Sequence, residues 1–468
     1  MTHSHTDRGH PTRSVYARRP DSVQNPLPTA TAVDTAKILA EVELPTISKG
    51  PIIRRPRMVA AVENLGLEAR AVARLQTAAE KYGRGPLMLG LPGRKMSMVL
   101  DPEHVHRILE ESPEPFATAE TLKRHALKHF EPQVALISHG AERARRRETN
   151  EKLLDHNQPI HRMAEQFMPA VREEAQVLLK QIDDAGGTLD YSNYFKAWFR
   201  VVNRVVLGDS YRDDTELLEL METQRARGNW AFLRPVDTEA RDEIHSRIDQ
   251  AVAKAEPGSI AAFMSQMEAS GDFETSRDED VQQIPQWLFA FDPAGMASYR
   301  GLALLASHPD RLEAARHQIE EEAQADVPLL PLLRATVLES LRLWATTPMI
   351  LRETTQEVEF EHGVMPQGTT VLIFAPFFHR DEKNLDFAHQ FSPEVWDHER
   401  TREEWPLVPF SAGPGLCPGR HLVLLLTSNF MAQIVGQRNI DLLSHELEPG
   451  RLPALLNNFS LKFHLSAR

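Results

Sequence analysis

From residue 139 to residue 255 the chain carries five successive stretches of helical spacing, at about 139–155, 159–183, 190–207, 213–226 and 238–255. Apolar residues recurring every three or four positions bury one face of a helix, so a run this long predicts helix-on-helix packing. Further helices are expected over 57–82, 102–111, 287–307 and 421–435, and residues 112–138 read as irregular. Sheet signals are few. Pro86 to Leu100 reads as a hairpin about Leu91-Pro92-Gly93-Arg94, and 350–375 alternates around a turn. No repeat or composition break divides the chain. The expectation is one mostly α domain with a small β region over 51–468, behind a disordered extension at 1–50. That extension is rich in Pro, His, Arg and Thr; His3, His5 and His10 read as part of a tail rather than a metal site.

Charge and apolar runs narrow the function. With 53 basic and 66 acidic side chains the net charge is −13, which argues against a nucleic-acid partner. The longest apolar runs, such as Leu422 to Leu426, fall far short of the roughly 18 residues of a spanning helix. Neither a secretory core nor a membrane span is expected, and the predicted location is cytoplasmic. A single cysteine, Cys417, rules out an internal disulfide, a CxxC pair and a cysteine-held iron–sulfur cluster.

The surroundings of that cysteine are informative. Phe410-Ser-Ala-Gly413-Pro-Gly415-Leu-Cys417-Pro-Gly419-Arg420 precedes an apolar helix. Glycines on both sides let the backbone approach a flat ligand and turn into the helix, whose N-terminus favours a thiolate. A thiolate so held is what an axial haem ligand needs; the alternative is a buried cysteine before a core helix. The loop closely resembles the F-x-x-G-x-x-x-C-x-G pattern of the cytochrome P-450 family of haem-thiolate monooxygenases. Glu339-Ser-Leu-Arg342 is similar to that family's E-x-x-R pair, and Phe378-His379-Arg380-Asp381 to the HRD segment after the β region. The resemblance runs from about Ile52 to the C-terminus and implies the family's single triangular, mostly α fold.

It also implies roles. Cys417 would ligate the iron of a haem (heme b, iron protoporphyrin IX) in a loop shaped by Phe410, Gly413 and Gly419. His139, Arg143 and Arg352 would bind its propionates. Two departures stand out: Gly415 occupies a position where the family usually has His or Arg, and Val395 one where it has the arginine of a PER segment. Arg400 is a candidate substitute for that arginine. On the oxygen side the family pattern is A/G-G-x-D/E-T, and Ala294-Gly295-Met296-Ala297-Ser298 is aligned with it. Ala294 and Gly295 would leave room beside the iron, Ser298 would stand for the threonine, and Ala297 replaces the acid. Pro293 would open the helix nearby. Asp292 lies on a different face by this register.

The resemblance therefore predicts a monooxygenase that inserts one oxygen atom of O2 into an apolar small molecule. Electrons would come from a separate ferredoxin and ferredoxin reductase fed by NAD(P)H. Arginines 143, 145, 146 and 147 are candidates for docking an acidic donor. Two alternatives remain open at this stage: a haem-thiolate enzyme driven by peroxide or hydroperoxide, and a non-catalytic haem sensor.

Overall fold

The computed structural model describes residues 26–273 and 275–468. His3, His5 and His10 lie outside them. Residues 26–50, expected to be disordered, are folded. Helix α1 (Ala32–Ile38) is capped by the Thr31 hydroxyl, which accepts from Asp34 N, and runs through a π-turn into α2 (Leu44–Ser48). Ile38 and Val42 are fully buried in a cluster with Ala71, Val72 and Leu75. Burial of this apolar stripe outweighs the neighbouring prolines; Pro45 sits in a first turn, where its missing N–H costs nothing.

The single helix expected over 57–82 is two: α3 (Pro56–Asn64) and α4 (Leu67–Tyr82), broken at Gly66, whose φ of 60° is left-handed. Strands β1 (Leu87–Met88) and β2 (Met96–Met98) form the expected hairpin, followed by α5 (Pro102–Glu110). The stretch 112–138 is more ordered than expected, containing β3 (Phe116–Ala117) and α6 (Thr121–Leu127). Then come α7 (Gly140–Leu153), α8 (Ala164–Asp184), β4 (Thr188–Asp190), α9 (Tyr191–Val206), α10 (Thr215–Gly228) and α11 (Thr238–Lys254). After α12 (Ile260–Ser270) and α13 (Arg277–Val281), the long α14 (Ile284–Ser307) leads to α15 (Pro309–Glu321) and α16 (Pro331–Leu343). Strands β5 (Met349–Thr354), β6 (Val358–Phe360), β7 (Gly363–Met365) and β8 (Thr370–Phe374) supply the second sheet-like region, and α17 (Ala375–His379) follows. The chain ends with α18 (Arg420–Val435), β9 (Arg438–Leu442) and β10 (Lys462–Ala467).

Helices α8, α9, α14 and α18 pack on one another, with α16 against α14 and α18. Helix α18 is apolar all round and buried nearly throughout, as a helix at the centre of a bundle must be. Tyr194, Tyr299 and Phe430 join three of these helices, with ring centroids 4.9 Å apart for Tyr194–Tyr299 and 5.3 Å for Tyr194–Phe430. Beside the bundle lies a sheet of order β1-β2-β8-β5-β3, in which β5 runs antiparallel to β8 with Arg352 opposite Val371. Among the described residues no helix is long and apolar enough to cross a membrane.

Candidate functional site

The Phe410–Gly419 loop is held at both ends. Cys417 N donates to Phe410 O at 3.0 Å, and Leu416 N to Gly413 O at 2.9 Å. Gly413 has φ of 59°, and a Cβ there would stand 2.3 Å from Leu109 O, so only glycine lets the loop close onto the end of α5. Cys417 is half-buried and lies three residues before the first residue of α18. The helix terminus does not by itself make a thiolate here. Burial pushes the thiol pKa up, and the Gly419 N–H, Arg147 and Arg420 only partly oppose it. A thiolate at this position calls for a cation on the sulfur, as coordination to a metal supplies.

Beside the loop stands a group of cations that Glu120 and Glu151 approach but do not pair with. Arg352 is 3% exposed; its Nε donates to Ser112 Oγ at 2.9 Å and a terminal nitrogen to Ser411 Oγ at 3.2 Å. Arg143 donates to Pro414 O at 3.0 Å. Lys123, which sequence reasoning missed, donates to the Thr118 and Leu351 carbonyls at 2.8 and 3.3 Å. Burial and then Arg143 push Arg352 down to about 10, while burial and then Arg352 push Lys123 down to about 7. No carboxylate forms an ion pair with these three among the described residues, and the buried Thr118 hydroxyl has no partner there. Cations crowded this way need an anion. Two carboxylates of a planar group seated on Cys417 meet that need, so the residues present fit a haem.

His139 is not brought into this group. It is the non-helical residue before α7, with φ of −123° and ψ of 161°, so the helical spacing that would align it with Arg143 does not apply. Its ring is exposed and meets Arg124 at 3.0 Å. Gly415 has a physical reason: a Cβ there would lie 2.6 Å from the Arg352 guanidinium. Of the four arginines in α7, Arg143 and Arg146 are buried, and Arg146 is paired with Glu142 and Glu279. Arg147 is held by Glu151 at 2.5 Å with its side chain 14% exposed, so only Arg145, its side chain 37% exposed, remains an outward candidate for docking.

Helix α14 corrects the expected oxygen-side register. Its partly exposed positions in the first half are Gln286, Phe289, Ala290 and Pro293, one stripe at helical spacing. Ala294, Gly295 and Ser298 are buried on another side. A Cβ on Gly295 would stand 2.7 Å from the Trp198 ring, so this glycine serves the crossing with α9. The Ser298 hydroxyl accepts from Tyr194 OH at 2.8 Å and donates back to the Ala294 and Gly295 carbonyls at 2.9 and 3.2 Å. Read on the open stripe, the A/G-G-x-D/E-T pattern falls on Phe289-Ala290-Phe291-Asp292-Pro293, with the acid present and proline where the alcohol would be. Asp292 accepts from Arg225 at 2.8 Å, and burial, against that pairing, raises its pKa to about 6.

The E-x-x-R pair is fully buried and bidentate. Arg342 meets Glu339 at 2.6 and 2.7 Å and also donates to the carbonyls of His379, Ala388 and Gln390. Arg400 does not replace the arginine absent at Val395; it pairs with Glu404. Trp396 Nε1 and Ser392 N instead donate to Glu339 at 2.9 and 2.8 Å.

Comparison with known proteins agrees with this geometry. Residues 224–449 match the family model for cytochrome P-450. A beta-amyrin 24-hydroxylase of Glycine max is 24% identical over 326 residues, covering 58% of this chain and 64% of its own length. A cyclooctat-9-en-7-ol 5-monooxygenase of Streptomyces melanosporofaciens is 26% identical over 252 residues, covering 50% and 53%. The chain thus spans less than two thirds of the length of these relatives. The retinoic acid bound cyanobacterial CYP120A1 matches with a TM-score of 0.66 at 18% identity, over 84% of this chain and 94% of that one, a likeness of fold. Cysteine loop, buried E-x-x-R pair, matched family model and shared fold lead to one conclusion: the chain belongs to the cytochrome P-450 family.

Proposed function

We propose that the chain is a haem-thiolate monooxygenase that inserts one atom of O2 into an apolar small molecule. The observation that carries this is the seat described above: a lone cysteine on a glycine-shaped loop beside Arg143, Arg352 and Lys123, none of which is ion-paired with a carboxylate among the described residues. When bound, the haem supplies oxygen activation, favoured by electron density from the Cys417 sulfur. Arg352, kept in place by Ser411, Arg143, kept by the Pro414 carbonyl, and Lys123, kept by the Leu351 carbonyl, would hold its carboxylates. Phe410, Gly413 and Gly419 shape the loop.

Asp292 holds a proton for the open face of α14. Its Oδ1 has no partner among the described residues while Oδ2 is kept by Arg225, so one oxygen is fixed and the other can give and take. Pro293 removes the N–H that would close on the Phe289 carbonyl, leaving that oxygen as an acceptor beside the acid. Ala290 keeps the face low. Substrate would lie between this face, the 112–138 segment and Met349–Leu351, entering past the exposed Trp230 and Phe232.

Electrons are inferred to come from a separate ferredoxin and its NAD(P)H-fed reductase, since one cysteine cannot hold a cluster. The protein is proposed to work in the cytoplasm. The decisive experiment is the reduced carbon monoxide spectrum of the haem-loaded protein and of Cys417→Ala, followed by turnover with O2 and a reconstituted ferredoxin chain. Proline in place of the alcohol favours a second reading, use of peroxide; turnover with hydrogen peroxide and none with ferredoxin would establish it.

A further inference from the structure

Behind the C-terminal half of α14, the turn from Lys49 to Arg54 carries two cations into the interior. Lys49 pairs with Glu68 at 2.5 Å, their side chains 4% and 7% exposed. Arg54 donates to the carbonyls of Gly50, at 2.6 Å, and Thr346. Arg300, on α14, donates to Trp344 O and to Asn458 Oδ1, each at 3.1 Å. These three cations and Asn458 enclose a cavity whose remaining walls are Val59, Ala345 and Leu455. Its free volume of about 10 Å³ admits the centre of a single water-sized particle, so its candidate occupants are one water or one small anion drawn in by these donors.

Two features distinguish these occupants. Arg300 and Asn458 are 4% and 1% exposed, and Arg300 Nε and Asn458 Nδ2 have no acceptor among the described residues. Both are donors only. A water would satisfy them but would turn its own hydrogens toward guanidinium and ammonium groups; an anion would not. The charges point the same way. Two buried cations, Lys49 and Arg300, and the half-buried Arg54 face one buried carboxylate, Glu68, already held by Lys49; Glu63, with a side chain 20% exposed, acts on Arg300 only through space. Burial pushes Arg300 down to about 10, and it lowers Lys49 and Arg54 as well.

We propose that this cavity binds a single monovalent anion of chloride size, held by Arg300 Nε–H, Asn458 Nδ2–H and the charges of Lys49 and Arg54. The site reaches the proposed substrate entrance through one residue. Asn229 accepts from Ile52 N and Ile53 N at 2.8 and 3.2 Å and donates to Ile53 O at 2.8 Å, tying the turn to the segment that carries Trp230 and Phe232. Bound anion would stiffen both.

The test uses the full-length, haem-loaded protein in sodium gluconate, with chloride replacing gluconate at constant ionic strength. Tryptophan fluorescence should report a Tm that rises by ~1–3 °C per tenfold chloride beyond half-saturation. A bromide-soaked crystal should show an anomalous peak between Arg300 and Asn458. Asn458→Asp places a carboxylate oxygen where Nδ2 was, so it should keep the chloride-saturated Tm and lose the response. Arg300→Gln should lose the response at a lower Tm. A Tm indifferent to chloride, a response that survives both substitutions, or water alone in the bromide crystal would overturn the proposal. Should Asn458→Asp not fold, the bromide peak decides.

Discussion

Restoring the family's usual side chain at position 415 should weaken haem retention. A Cβ there would lie 2.6 Å from the Arg352 terminal nitrogen, against an ordinary contact of ~3.5 Å. The guanidinium must retreat by about 1 Å, which stretches its 3.2 Å bond to Ser411 beyond hydrogen-bonding range and tilts the 2.9 Å bond to Ser112. Arg352 is then no longer aimed at the carboxylate it is proposed to hold. One hydrogen bond to a charged group contributes about 1.5–3 kcal/mol. Haem should therefore leave Gly415→Ala roughly 10- to 150-fold faster, by the usual conversion of 1.4 kcal/mol to a factor of ten. Gly415→His, although closer to the family pattern, should do no better. The assay is haem transfer to excess apomyoglobin, followed by absorbance. Ser411→Ala added to Gly415→Ala should cost little more, because both remove the same bond. If Gly415→His released haem no faster than the unaltered protein, the space occupied by Arg352 would not be what requires glycine.

Other outcomes follow from the same geometry. Cys417→Ala should abolish the long-wavelength band of the reduced carbon monoxide complex. Ser298→Ala should leave coupling of NAD(P)H oxidation to product formation unchanged but lower stability by ~1–3 kcal/mol in denaturant titration, because the buried Tyr194 hydroxyl loses its acceptor. Asp292→Asn should slow ferredoxin-driven turnover by about 10²–10⁴-fold while sparing the spectrum of the carbon monoxide complex. Asp292 has a raised pKa, so the native state binds more protons than the unfolded chain between about 4 and about 6. Its contribution to stability is present below that window and is lost as pH rises through it, a slope that urea titrations should find reduced in Asp292→Asn. Trp396→Phe should lower stability by about 1–2 kcal/mol by removing a donor to buried Glu339, whereas Arg400→Ala should not disturb that pair.

What the sequence discloses is what it encodes locally. The cysteine loop is legible because its glycines, prolines and cysteine act within eleven consecutive residues, and the helices from 139 to 255 because each carries its own periodicity. Small residues on α14 are ambiguous for a physical reason. An Ala-Gly pair makes room for a cofactor or for a neighbouring helix, and only the position of Trp198 shows that Gly295 does the latter. Lys123 escapes notice because nothing near it in sequence marks an anion site; its partners are carbonyls at 118 and 351. His139 misleads because the spacing rule holds only inside a helix, and it stands one residue outside. Residues 26–50 mislead because Ile38 and Val42 find their partners on α4, beyond the prolines that made the segment look open.

The two sides of α14 differ in what they can tolerate. Gly295, Ser298 and Tyr299 are interlocked with α9 and its aromatic neighbours, so a change there disturbs the crossing of two central helices. Ala290 and Pro293 face outward from that crossing and leave it untouched, whereas Phe289, beside them, packs on Phe130 and under Arg225. Variation in chemistry can therefore accumulate along one edge of the helix without re-laying the other. A library randomised at 290 and 293 should consist largely of folded proteins, whereas one randomised at 294, 295 and 298 should consist largely of unfolded ones.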